Sequence, residues 1–332
     1  MSKQLLSHAR TFAIRLASGL LVSSCLSALA YAQANWPERP VKLIVGYPPA
    51  GPVDATGRTF ARFLGEQLKQ SVVVENRAGA SGMVGADVTA KATPDGYILN
   101  FIASPTMTIS PIVQRTKLFD PRQDFTIVSA VVNYTNMLLI GPQIPAKTVA
   151  ELVAYAKANP DKVSFASAGF GGSNHLSAEL LVQSTNAPML HVPYKGNSPA
   201  MMDVISGKIT FMFDITSTGK VFVESGQART LAVTSKERNP SLPNVPTMIE
   251  AGIADYEVVG WLAVVGPKNL PTEVVAKLSN AIEIVKRDPA FRKAIEDGGY
   301  TIDSVNAKEL NARIMREYAM WERVIIKGNL QQ

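Results

Sequence analysis

The chain has 332 residues, 46% of them hydrophobic and 18% charged, with a formal charge of +6. It is long enough for two domains, and too apolar and too weakly charged for an intrinsically disordered protein. Its single cysteine, Cys25, excludes a disulfide framework, a thiolate zinc site, an iron–sulfur cluster and cysteine redox chemistry in the folded body.

At the N-terminus Lys3, Arg10 and Arg15 precede an apolar run from Leu16 to Val22 and then small residues, the order of a secretory signal. Ala30-Tyr31-Ala32 and Ala32-Gln33-Ala34 each offer a small-x-small cleavage site, so residues 1–34 read as a signal peptide and the mature chain as periplasmic. Val22-Ser23-Ser24-Cys25 offers lipidation at Cys25 as the alternative. A membrane anchor needs about 20 apolar residues and this run is shorter. Losing the segment removes three basic residues and no acidic one, so the charge falls from +6 to +3. No basic cluster with interleaved aromatics remains, which argues against a nucleic-acid partner.

Residues 41–45 form a buried strand, which stops at the Pro- and Gly-rich 47–52 loop. Asp54 sits where a helix N-cap is wanted, with Phe60, Phe63, Leu64 and Leu68 following at helical spacing. Strand 71–75, helix 82–92 and strand 97–102 continue a β-α-β-α-β alternation, the pattern of a parallel sheet covered by helices. Two β-rich runs, 127–132 and 137–140, flank the polar Asn133-Tyr134-Thr135-Asn136, where a domain crossing is placed. A second unit begins with helix 147–158, in which Thr148 and Glu151 have capping-box spacing. Strand 163–167, the glycine loop 168–172 and a helix capped by Ser173 repeat the strand, loop and helix of the first unit. Strands 209–213 and 230–234 follow, and 258–265 is a return crossing. Helices 272–286, 289–296 and 306–326 then cover the first domain, the last through a stripe of Leu310, Ile314, Trp321 and Ile325.

The two repeated loops carry the functional reading. A helix start leaves free N–H groups and a partial positive charge where a strand ends, and such a start binds carboxylates or phosphates. In open α/β sheets ligands sit outside the carboxyl ends of the strands. If the two loops face each other, one anion is held from both domains; taken singly, each is only a turn. Gly169-Phe170-Gly171-Gly172-Ser173 lacks the third glycine of a dinucleotide fingerprint, and there is no phosphate-binding G-x-x-x-x-G-K-[ST]. No cofactor is therefore expected. His175 and His191 are too far apart for a helical metal pair, so no metal is expected either. Ser173 and His175 lack a G-x-S-x-G elbow and lie two residues apart on different helix faces, which argues against an enzyme. The plain reading of His175 is packing or hydrogen bonding at the helix start. Asp214, directly after strand 209–213, either faces the cleft, holding water or an ammonium, or is a turn or cap residue.

Ordered motifs point to a family. They are Trp36-Pro37-x-Arg39-Pro40, Tyr47-Pro48-Pro49-Ala50-Gly51-x-x-Asp54, Val72-Val73-Val74-Glu75-Asn76-Arg77, Pro94-Asp95-Gly96-Tyr97 and Ala166-Ser167-Ala168-Gly169. They continue with His191-Val192-Pro193-Tyr194-Lys195-Gly196, Met212-Phe213-Asp214, Leu231-Ala232-Val233-Thr234 and Leu242-Pro243-x-Val245-Pro246-Thr247. From Trp36 to about Ile326 the chain resembles the Bug family, the extracytoplasmic solute receptors of tripartite tricarboxylate transporters. The resemblance implies an α/β, type II periplasmic-binding-protein fold with two α/β domains, a central ligand cleft and a two-strand hinge. Domain one would comprise 35–135 plus 259–332, and domain two 136–258. It implies that a carboxylate is held, partly through ordered water, by Tyr47, Ala50, Gly51, Val53 and Asp54 on one side and by Ala168, Gly169, Phe170, Gly171, Gly172, Ser173 and His175 on the other. Ser104 and Thr106 add a third contribution, and Asp214 completes the candidate set. Ala50, Pro52 and Val53 stand where the family is richer in glycine, and Ile215 where it often has Asn.

The leading expectation is a monomeric receptor that captures a small organic carboxylate, aliphatic or aromatic, for the membrane subunits of such a transporter. The alternatives are a ligand-dependent signalling partner of a sensor kinase and a secreted hydrolase.

Overall fold

The computed structural model describes residues 36–115, 118–194 and 196–331. The expected signal segment 1–34 with its expected cleavage sites, Cys25 and His8, and also Lys195, lie outside the described residues.

The apolar run β1 (Val41–Val45) is flanked by two parallel strands, β2 (Val72–Asn76) and β3 (Ile98–Ala103). Beyond β3 come two antiparallel neighbours, β9 (Val259–Pro267) and the long β4 (Phe125–Ile140). The sequence reads β4 as two runs with a break at Asn133 to Asn136. The backbone instead continues without interruption and changes partners there. Up to Thr135 it pairs with β9; from Asn136 it pairs with β7 (Phe211–Ile215) and, on its other edge, with β8 (Arg229–Val233). Parallel strands β5 (Ser164–Ser167) and β6 (Leu190–Pro193) extend the second half-sheet beyond β7. The short β10 (Thr301–Ile302) pairs with β4 in the first half. The chain returns where Val258 N–H donates to Thr234 O and Val259 pairs with Thr135. The buried polar side chains here are bonded: Thr234 Oγ1 accepts Asn136 N–H and donates to Val258 O, and Asn136 Nδ2 donates to Ser177 Oγ.

Both faces of each half-sheet are covered, which is why these strands read as continuous apolar runs. Along β9, Leu262 and Val264 face one core, while Trp261, Ala263 and Val265 face the other. Along β4, Leu138 and Ile140 alternate with Met137 and Leu139 in the same way. On the first half-sheet the helices are α1 (Pro52–Leu68), α2 (Met83–Ala90) and the short turns α3 (Ser104–Thr108) and α4 (Ser110–Val113). On the second they are α5 (Val149–Ala158), α6 (Ser173–Thr185), α7 (Asn197–Ile205) and α8 (Thr216–Glu224). The C-terminal helices are α9 (Thr272–Arg287), α10 (Pro289–Asp297) and α11 (Ala307–Lys327). Phe60, Phe63 and Phe291 pack α1 on α10.

The last helix departs from the sequence reading. Its buried residues are the four of the stripe, but only Leu310 and Ile314 join the first core; Trp321 and Ile325 pack into the second. It therefore braces both halves across the crossing strands. Arg313 fixes it there, donating to Asn133 Oδ1 on β4, Val259 O on β9, Asp303 Oδ2 and Glu317 Oε1.

Candidate ligand-binding cleft

All the parallel strands end toward the same place, and each is followed by a helix start. The N-terminal flanking residues Gly51 (α1), Gly82 (α2), Ala103 (α3), Gly172 (α6), Gly196 (α7) and Ile215 (α8) all line one cleft of about 760 Å³ between the two half-sheets. No Arg, Lys or His is among its described lining residues, and Asp214 is the one acidic residue there. What positive potential the described lining offers comes from backbone N–H groups and peptide dipoles.

Two expected caps prove to be something else. Gly51 (φ −77°, ψ 167°) and Gly172 (φ −80°, ψ 161°) occupy the N-cap positions, so Asp54 and Ser173 both lie inside the first turn. Pro52 takes the first helical position, where an N–H would have no intrahelical acceptor and the ring costs nothing. The N–H groups of Val53 and Asp54, and of Ser173 and Asn174, then have no acceptor among the described residues. Asp54 is 2% exposed and does not line the cleft. Its carboxylate accepts from Ala50 N–H, Arg58 Nε and Asn76 Nδ2 at 2.8–2.9 Å, which folds the 47–51 loop back on the helix. Those bonds and the Arg58 charge outweigh desolvation and hold its pKa below the ordinary value.

Of the remaining expected residues, Tyr47, Ala50, Gly51, Val53, Ala168, Gly169, Gly172, Ser173 and Asp214 line the cleft; Ser104, Thr106, Phe170, Gly171 and His175 stand behind it. Thr106 Oγ1 donates to Ser81 O at 2.9 Å and lies 3.2 Å from the Tyr47 hydroxyl, so it secures the cleft wall rather than forming it. Ser104 accepts from Trp261 N–H and lies 3.5 Å from the Tyr134 hydroxyl. Phe170 packs edge-on against His175 and His191. His175 is fully buried.

Residues that the sequence reading leaves out complete the cleft: Ser81 and Gly82 after β2, Tyr134 on β4, Asn197, Ser198 and Met201 after β6, and Thr218 and Phe222 after β7. Gly82 (φ +91°) is required, since a Cβ there would come within 2.4 Å of Thr106 Oγ1. Tyr134 lies where the two halves meet, its hydroxyl shared by Ser104 and Ser173, and burial pushes its pKa up. The signal that finds Ser81, Gly82, Asn197, Ser198 and Thr218 is positional, because each lies after a strand and at or beside a helix start; Met201 and Phe222 lie further along α7 and α8.

The second-half wall is a polar chain. Asn174 Nδ2 donates to Asn197 Oδ1 at 3.3 Å, and Asn197 Nδ2 donates to Asp214 Oδ1, which also accepts Ile215 N–H at 2.8 Å. The other carboxylate oxygen, Oδ2, is buried and has no hydrogen-bond partner among the described residues; the Thr218 hydroxyl donates to Ile215 O. Burial pushes the Asp214 pKa up from 3.8 to about 6. The arginines nearest in sequence are engaged elsewhere. Arg58 bonds Asp54 and Asn76, Arg77 bonds Glu75, and neither lines the cleft.

The receptor family of the tripartite tricarboxylate transporters matches residues 57–330. A Pseudomonas sp. (strain P51) relative, the UPF0065 protein of the tcbD-tcbE intergenic region, is 33% identical over 316 residues, 95% of this chain and 94% of its own. The R. palustris protein Rpa4515, solved with adipate, superposes with a TM-score of 0.82 at 31% identity, covering 89% of this chain and 98% of that one. The periplasmic binding protein BugD gives 0.80 at 32% identity, covering 89% and 99%. The fold is that of the periplasmic binding proteins, as the resemblance implies. By sequence and by fold, this chain belongs to the family of tripartite tricarboxylate transporter receptors.

Proposed function

We propose that the protein captures a small organic carboxylate in the cleft between its half-sheets and hands it to the membrane subunits of a tripartite tricarboxylate transporter, without converting it. One observation carries this reading: six helix starts converge on a cleft whose described lining holds no cationic side chain. Such a site favours a compact anion whose charge is shared among several neutral donors. Each donor contributes about 0.5–1.5 kcal/mol net, and more in a closed, desolvated cleft. Neutral donors also release the anion readily when the halves part, as a delivery protein requires. The adipate held by Rpa4515 and the family's name point to the same ligand class.

In this reading residues 35–135 with 259–332 form one domain and 136–258 the other. They hinge where β4 and β9 cross, and α11 braces the hinge. Residues 1–34 are an export signal cleaved after Ala32 or Ala34, which places the mature protein in the periplasm, where BugD works. The test is a thermal-shift screen with adipate, succinate, citrate, benzoate and terephthalate, followed by calorimetry. A carboxylate at 100 times its dissociation constant should stabilise the protein by about 2.7 kcal/mol. No stabilisation by any carboxylate, beside a clear shift with an uncharged or cationic solute, would refute the proposal.

A further inference from the structure

Behind the glycine loop that joins β5 to α6, two imidazoles stack face to face. The His175 and His191 ring centroids are 4.1 Å apart at 29°, with Phe165 stacked on His191 and Phe170 edge-on to both. Neither histidine lines the cleft. Each is tied to the loop. Gly171 N–H donates to His175 Nδ1 at 3.3 Å. His191 Nε2 lies 2.7 Å from Ser167 Oγ, which accepts Gly169 N–H at 3.2 Å and lies 3.0 Å from Gly169 O. Gly169 (φ +127°) and Gly171 (φ +76°) have backbones that impose little restraint of their own, so these bonds decide where the loop's peptides point.

We infer that His175 and His191 are positioning residues: two neutral rings that pin the N–H groups of Gly171 and Gly169 and thereby fix the loop for the ligand. The inference rests on the cleft being a carboxylate site. The hydrogen-bond count assigns the tautomers. His175 Nδ1 accepts, so its proton is on Nε2. For Ser167 to satisfy all three contacts, His191 must donate from Nε2 and the serine hydroxyl to Gly169 O, leaving Oγ to accept both His191 and Gly169 N–H. With Gly169 and Gly171 N–H consumed, those of Gly172, Ser173 and Asn174, all cleft residues, stay without an acceptor among the described residues.

Neutrality is essential. A proton on His175 Nδ1 would set two donors against each other and break the Gly171 bond. The only charged side chain within salt-bridge distance of either ring, among the described residues, is Glu179, 3.6 Å from His175 Nε2 on the same helix. The other faces are covered by Phe165, Phe170 and Ser167. Burial and the neighbouring His175 hold the His191 pKa down to about 3.

The test compares pairs of variants. His175→Asn keeps an acceptor near the Nδ1 position and His191→Gln a donor near Nε2; His175→Leu and His191→Leu keep the packing and lose the bonds. In the ligand-free protein, amide exchange at Gly171 should accelerate at least tenfold in His175→Leu, and that at Gly169 in His191→Leu. The Asn and Gln variants should stay near wild type, and nitrogen NMR should show both rings in the Nε2–H form. In calorimetry with the carboxylate panel above, the Leu variants should bind at least tenfold more weakly and the Asn and Gln variants within about threefold of wild type. Unchanged amide exchange in the Leu variants, or equal losses in the Leu and the polar variants, overturns the inference. If wild type binds no carboxylate, the carboxylate reading has failed, and amide exchange alone then decides whether the histidines pin the loop.

Discussion

Asp214→Asn isolates the cost of a buried charge in the cleft. The carboxyl is 1% exposed, one oxygen has no partner among the described residues, and burial raises its pKa from 3.8 to about 6. Because the folded protein holds this proton more tightly than the unfolded chain does, acid favours the native state at this site. The penalty is absent below about pH 4, grows as the pH rises toward 6 and is fully in force above it. Two units of pKa correspond to about 3 kcal/mol. Asparagine preserves the shape, and its Oδ1 can still accept from Ile215 N–H and Asn197. The ligand-free variant should therefore be more stable than wild type by about 3 kcal/mol at pH 8, or roughly 6 °C in melting temperature. The gain should vanish by pH 4. Urea unfolding of both proteins at pH 4, 6 and 8 measures it. A variant that is less stable at pH 8, or a difference that does not change with pH, would refute the reasoning about Asp214.

Three further outcomes follow from the geometry. Gly172→Val puts a Cβ within 2.7 Å of Asn174 Oδ1, and Gly171→Val imposes a side chain at φ +76°. Each should weaken carboxylate binding at least tenfold by calorimetry, about 1.4 kcal/mol, while Arg77→Ala leaves it within twofold. Arg313→Met strands the buried Asp303 and the half-buried Glu317 without their cation, and urea unfolding should register a loss of about 3–5 kcal/mol. Gly82→Ala meets Thr106 Oγ1 at 2.4 Å and adopts φ +91°, so its melting temperature should fall, whereas Gly226→Ala, with open space around it, should lose less.

Much of the fold was legible because burial on both faces and helix periodicity leave strong local marks. The run at β1, the Thr148 cap whose side chain accepts Glu151 N–H, and the four-residue stripe of α11 are local signals of this kind. What escaped was set mostly by partners outside the local pattern. Asp54 looks like a cap from its neighbours, but Arg58 and Asn76 claim its carboxylate while Gly51 caps without a side chain. The polar break in β4 reflects a change of strand partners, which spacing alone cannot reveal. A further part of the cleft lies on the segments after β2, β6 and β7, where Ser81, Asn197, Ser198 and Thr218 stand outside the recognised motifs. The two histidines face each other only because β6 lies beside β5 in the sheet.

The decisive measurement is a crystal structure of the mature protein with the best-binding carboxylate of the panel. A carboxylate oxygen should lie about 3 Å, directly or through one ordered water, from the N–H groups of Val53 or Asp54 and of Ser173 or Asn174. No arginine or lysine should reach it. A ligand clamped by a guanidinium, or seated outside the cleft, would show that the helix starts do not hold the anion.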